Sequence, residues 1–332
     1  MQYFAGTPNA KYCVWEPSKW EPRRYQCNTR GLGFQGCCKA NQPAADKYTL
    51  MNIFEIIKQL GGYFTAADVV VFIAGTLLLS IWLLRTSLGR NALVKSVPRR
   101  NDIPGYVPFV PLLIWIAVVL IAATIKEQFL VNLPDWQRAF LDNVILCVGA
   151  VVAIAVILFL ANAHFARGLQ GFGLNPKTIH KDFIAAVVNL LAVWPIVMLM
   201  IVLTIFLGRL TWGQDFDLQQ HEELKLVTQY AQLPVRVLIV ITAVVIVPAF
   251  EELLFRGLFQ TWLRSLVVRP WLAILICSGM FAVIHADRGH WPALLALSMS
   301  MGYAYEKSGS LFRPIFIHSL FNAASIIATL NQ

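Results

Sequence analysis

The sequence predicts an all-α, polytopic membrane protein of about eight transmembrane helices, with a polar cavity between its C-terminal spans. Three observations carry that expectation. Hydrophobic residues make up 58% of the 332 and charged residues only 14%, where a globular domain has about a quarter charged. The mean hydropathy is +0.62. The apolar residues also gather in runs without a polar face, at 68–84, 106–125, 144–161 and 183–207. A soluble helix would break such runs with polar residues at the 3.6 period, and each is long enough, or nearly so, to cross ~30 Å of hydrocarbon. The expected location is integral and multi-pass, in a cell or plasma membrane.

Residues 1–46 read as a loop-rich, Cys-containing extension with no convincing period. Cys13, Cys27, Cys37 and Cys38 crowd it, but the C-x-x-C knuckle of a zinc site is missing. Disulfides, a metal and no fixed role all stay open. The first ~45 residues hold no apolar core of signal-peptide length, so insertion is expected to begin at an internal helix. Residues 47–66 form the next element. Leu50, Ile53, Phe54, Ile57 and Leu60 follow helical spacing, with Glu55 and Lys58 between them. An amphipathic helix in the membrane interface fits, as does a soluble helix packed on the extension.

Residues 67–230 contain the first four spans. Arg85, Arg90, Lys95, Arg99 and Arg100 follow the first, and Arg167, Lys177 and Lys181 follow the third. The second loop holds only Lys126 and Arg138, and the fourth is acidic, with Asp215, Asp217, Glu222 and Glu223. This alternation puts the basic loops in the cytoplasm and the N-terminus outside. The net charge of +9 thus points to the lipid bilayer as a partner. Nucleic acid is not expected, because no aromatic-rich basic face is present.

Residues 231–332 differ in kind. A long helix over 235–263 carries Glu251, Glu252 and Arg256, and shorter apolar segments follow at 271–285, 292–305 and 311–330. Pro248 should kink the long helix just before the glutamates. A central acidic residue costs ~2.5–3.5 kcal/mol on insertion scales, so both glutamates must be paired, protonated or wet. Glu252 and Arg256 are four apart, the favourable orientation for a helical ion pair. Glu251 points about 100° away and has no evident local partner. His285, His318 and Asn322 follow in otherwise apolar helices, and His318 and Asn322 share a face. A single membrane histidine is more often an interhelical hydrogen-bonding group than a catalyst. Groups of this kind on three helices instead suggest one polar cavity floored by Glu251, His285, His318 and Asn322. His290 reads as a residue of a solvated turn, and Trp194, Trp262, Trp271 and Trp291 as interfacial anchors. One difficulty is depth: His285 ends a span running opposite to that of Glu251. A short or re-entrant sixth segment, or a protruding fifth helix, would bring the two together.

Glu251-Glu252-x-x-x-Arg256, Phe281-x-x-x-His285 and His318-x-x-x-Asn322 resemble, in order and spacing, the three motifs of the CAAX prenyl endopeptidase and bacteriocin-processing (CPBP) intramembrane proteases. The surrounding 248–257, PAFEELLFRG, strengthens the likeness, which covers roughly 235–330. It implies an intramembrane endopeptidase acting on membrane-associated protein or peptide substrates. Glu251 with His285 would activate a water, His318 and Asn322 would donate to the oxyanion, and Glu252 and Arg256 would hold the helix geometry. Another reading of the same family treats Glu251, His285 and His318 as zinc ligands. The metal-free version, with no cofactor, is preferred because no two histidines share a helix turn as in H-E-x-x-H. A proton- or ion-coupled carrier is the alternative from another class, since buried Glu and His also build proton relays. A non-catalytic scaffold or immunity protein is the third.

Overall fold

The computed structural model describes residues 66–130, 132–213, 216–218, 222–267, 269–285 and 288–330. The chain divides into two units, Met1–Met51 and Asn52–Gln332, and every described residue lies in the second. The N-terminal extension with its four cysteines, and the interfacial helix, fall outside the described residues.

Among the described residues the secondary structure is helical, without a strand: α1 Ala66–Arg85, α2 Phe109–Phe129, α3 Asp135–His164, α4 Ile179–Trp212, α5 Glu222–Gln229, α6 Leu233–Leu266, α7 Pro270–Ile284, α8 Trp291–Ser308 and α9 Phe312–Leu330. Four of these, α2, α3, α4 and α6, are long and apolar enough to cross a membrane, and α1 and α7 are shorter apolar helices. The most apolar window of α2 is only 6% buried in protein. Its exposed Leu113, Leu120, Ile121 and Ile125 must therefore find apolar surroundings in lipid. The chain is an integral, multi-pass membrane protein.

Helix ends follow simple chemistry. Pro234, Pro270 and Pro292 occupy first-turn positions of α6, α7 and α8, where a missing N–H costs nothing. Gly309 closes α8 at φ 75°, a left-handed cap that glycine adopts without strain. One expected boundary moves. α3 begins at Asp135, so Asn143 lies two turns inside a helix rather than in a loop. Trp194 lies mid-way along α4 against Phe321, not at a span end. Trp271 stacks on Tyr303, and Trp291 donates to the His285 carbonyl.

The C-terminal helices are joined by polar rungs that hydropathy hides. Arg256 Nη2 donates to Ser298 Oγ at 2.6 Å, Gln260 Nε2 to the Gly302 carbonyl at 3.0 Å, and Arg264 Nε to Glu306 Oε1 at 2.9 Å. The partners advance together by four residues, so α6 and α8 run parallel, in register. Gly302 lets this rung come close: a Cβ there would sit 2.8 Å from Gln260 Oε1 and 3.0 Å from Ile274, so the Gln260 side chain would have to shift. α7 runs back between them with 15 residues, about 22 Å of rise, which is less than the ~30 Å of hydrocarbon.

Helix alternation brings the ends of α1, α3, α6 and α8 to one side, with the starts of α2, α4, α7 and α9. That side is the basic one. Asp182 of α4 accepts from Thr178, Ser310 and Arg313, all at 2.7 Å. The Arg99 guanidinium lies 3.5 Å from the Tyr305 ring centroid, and the Tyr305 hydroxyl donates to the Phe172 carbonyl.

Arg264 and Glu306 are both nearly inaccessible. Glu306→Ala should therefore destabilise by about 3–5 kcal/mol, whereas the apolar pair Arg264→Met/Glu306→Leu should recover most of the loss. Thermal unfolding midpoints of the three proteins in detergent measure this.

Candidate active site

The site begins with a proline. Pro248 has no N–H to give, and α6 takes a π register over Thr242–Ile246 just before it, with the Val247 N–H bonded to the Thr242 carbonyl. In that register the next donor would serve Ala243, and the next residue is Pro248. The Ala243 carbonyl is instead satisfied by Asn322 Nδ2 of α9 at 2.8 Å. A second π stretch, Leu253–Gln260, follows the glutamates. The short α-helical turn Val247–Glu252 between the two stretches carries Glu251 and Glu252. Such widened turns cluster at functional sites.

Glu252 is fully inaccessible and engaged through one oxygen, its Oε2 having no hydrogen-bond partner among the described residues. Its Oε1 accepts from Arg256 Nη1 at 2.7 Å and from His318 Nδ1 at 3.0 Å. Arg256, 1% exposed, directs Nη2 to Ser298, and its Nε has no partner among the described residues. Phe281 of α7 braces the cluster. Its ring lies under the Arg256 guanidinium at 4.7 Å, 4.7 Å from the His285 ring and 5.7 Å from the His318 ring. The Phe281 carbonyl accepts from His285 Nδ1 at 2.7 Å. Carboxylate and carbonyl are acceptors only, so Nδ1 carries the proton in both histidines.

Glu251 contrasts with its neighbour. Its side chain keeps 16% exposure, and among the described residues its one ion-pair contact is a 3.8 Å approach to His318 Nε2, too long for a hydrogen bond. Glu251, His285, His318 and Asn322 all line a cavity of about 160 Å³, room for several waters at ~30 Å³ each. α7 is what makes this possible: being short, it ends at the depth of Glu251 instead of crossing to the far face. Asn322 is partly committed elsewhere, with one N–H on Ala243 and a second remaining on the same nitrogen.

A histidine that donates Nδ1–H to a carboxylate or carbonyl keeps Nε2 free, as zinc-binding histidines do. Among the described residues no three His, Cys, Asp or Glu side chains come together as a group able to hold a metal ion, so Glu251, His285 and His318 as placed here do not form such a set.

Two lining residues escape a reading of the C-terminal third. Asn143 and Leu146 of α3 close the cavity opposite α9. Asn143 is 8% exposed and donates to the Ala139 carbonyl, which leaves its carbonyl oxygen as an acceptor. At the edge of an apolar run it looks like a loop residue, and only the packing of α3 on α6 reveals its place. Ser298 was likewise unmarked, being one serine in a helix with several.

Residues 233–324 match the family model described as type II CAAX prenyl endopeptidase Rce1-like. The matched segment runs from the first residue of α6 into α9. Over 93 residues the chain is also 28% identical to "Putative membrane peptidase YdiL" of Bacillus subtilis (strain 168), covering 28% of this chain and 38% of that protein. No solved structure matches. The Rce1-like segment contains Glu251, Glu252, Arg256, His285, His318 and Asn322, and it leaves out Asn143 and Leu146.

The proline–asparagine relationship can be checked by a double-mutant cycle. Asn322→Ala strands a carbonyl and should cost about 1–3 kcal/mol. In a Pro248→Ala background the new N–H can serve Ala243, so the same substitution should cost clearly less. Equal costs in both backgrounds would contradict the assignment.

Proposed function

We propose that the protein is an intramembrane endopeptidase of the CAAX type, hydrolysing peptide bonds of membrane-associated protein or peptide substrates with a water activated by Glu251. One observation carries this reading: of two adjacent glutamates, the fully buried Glu252 is held by Arg256 and His318, while the half-buried Glu251 faces the cavity with no hydrogen-bond partner among the described residues. An unpaired carboxylate at membrane depth beside a paired one is a functional group by default. The Rce1-like match over 233–324 and the printed name of the Bacillus relative support the same class.

In the proposed reaction Glu251 takes a proton from water, and the hydroxide adds to the scissile carbonyl carbon. His285, with Nδ1–H held by the Phe281 carbonyl, offers Nε2 as an acceptor that orients the attacking water. The oxyanion meets Asn322 Nδ2–H and His318 Nε2. For His318 to donate from Nε2 while Glu252 holds Nδ1–H, the ring must carry both protons. Glu251 then returns its proton to the departing amine nitrogen as the C–N bond breaks. Arg256, Ser298 and Phe281 touch no reacting atom and serve as positioning residues.

Cleavage of membrane-tethered reporter peptides by the purified protein in liposomes tests the reading. Glu251→Gln and His285→Ala should each lower the rate by about 10²–10⁴-fold, the usual range for general-base groups. Asn322→Ala should lower it by about 10²–10³-fold, as for a lost oxyanion donor. Full activity in Glu251→Gln would remove the mechanism, and Glu251-dependent proton flux without any cleavage would favour a carrier. Comparative membrane proteomics of wild-type and Glu251→Gln cells should reveal the substrate as an accumulating precursor.

A further inference from the structure

A second cavity, of about 250 Å³, lies behind α8, away from Glu251. It is an open groove lined by α1, α4, α7 and α8, near the basic end of the bundle. Trp82, Trp271 and Tyr303 form its wall, with Leu79, Ile196 and Met299 among its apolar lining. The aromatic groups are held in place. Trp271 stacks on Tyr303 with ring planes 4° apart, Trp271 Nε1 donates to the Gly89 carbonyl, and Trp82 Nε1 donates to the Tyr303 hydroxyl. Because that hydroxyl accepts from Trp82, its own O–H remains unspent among the described residues.

Three arginines flank this wall in sequence. Arg85 follows Trp82 by three residues, Arg90 follows Gly89, and Arg269 stands two before Trp271. All three are exposed, and none has a carboxylate partner among the described residues. The acidic groups at this end are already engaged: Asp182 by Arg313, Glu306 by Arg264, and Asp102 by His164. None of the three lines the cavity itself; chain proximity to Trp82 and Trp271, and the Trp271–Gly89 hydrogen bond, bring them to its rim. Uncompensated guanidinium groups at the rim of an apolar slot match one chemistry, an anion attached to a hydrocarbon chain. Guanidinium binds phosphate bidentately, and aromatic walls suit the level where chain meets headgroup.

We propose that this cavity is a specific site for one anionic phospholipid, with an acyl chain along Trp82, Trp271 and Tyr303 and the phosphate on Arg85, Arg90 and Arg269. The proposal does not depend on the peptidase reading, since it uses none of the residues around Glu251.

The test is native mass spectrometry of the purified full chain, released from detergent after incubation with equal amounts of phosphatidylglycerol and phosphatidylcholine of identical chains. Wild type should retain one phosphatidylglycerol in clear preference. The triple substitution Arg85→Gln/Arg90→Gln/Arg269→Gln should reduce that preference by about fivefold per charge removed. The charge-preserving Lys triple should keep most of it. Ala296→Phe, which fills the cavity, should reduce retention of both lipids, and glycerol 3-phosphate alone should not bind. Equal retention of the two lipids by wild type would overturn the proposal. So would a preference unchanged in the Gln triple, one lost equally in the Lys triple, or full retention in Ala296→Phe. Binding of glycerol 3-phosphate as tight as that of the lipid would mean a free-anion site instead.

Discussion

A buried positive charge organises the C-terminal half of this protein. Arg256 is 1% exposed and sits among apolar residues of four helices. It is tolerable there only because Glu252, one helical turn earlier, meets it at 2.7 Å. Removing water from both ions costs several kcal/mol each, and the remaining lone pairs and protons must be satisfied for the pair to persist. Ser298 and His318 supply part of that satisfaction from α8 and α9, while Glu252 Oε2 and Arg256 Nε stay without a hydrogen-bond partner among the described residues. The ion pair therefore does more than neutralise itself. It fixes how α6, α8 and α9 meet, and thereby where the His318 ring stands relative to Glu251.

The division of labour between adjacent glutamates follows from helix geometry. Consecutive residues diverge by about 100°, so one can point into the packed cluster while the next points to the cavity. The flanking π stretches sharpen that separation. One of them accommodates Pro248, and the carbonyl it leaves over is claimed by Asn322. A residue whose motif position suggests chemistry thus also has a structural duty, and its two N–H groups allow both.

Much of this was legible in the residues and some was not. The spans show because apolar runs without a polar face have no stable place in water. The Glu252–Arg256 pair shows because four-residue spacing is local. The start of α3 does not, since Trp136, Arg138 and Asp142 read as loop although they continue the helix. His318 accepting Glu252 as its partner is equally hidden, because 66 residues separate them and only packing of α9 on α6 makes them neighbours. The π register depends on backbone hydrogen bonding that side-chain patterns do not encode, and Pro248 is its sole visible trace. The rungs between α6 and α8 escaped because Gln260 and Ser298 look incidental until the two helices are seen side by side.

The brevity of α7 carries one more consequence. α7 ends at Ile284 beside the Glu251 cavity, and the exposed Arg288 follows in a 3-10 turn before α8 begins at Trp291. Hydrocarbon does not solvate a guanidinium group. A charge so near the end of a short span calls for a thinned bilayer or a hydrated funnel above the turn. The same dent in the membrane would supply a hydrolase with its second reactant, delivering water to a place that lipid would otherwise keep dry.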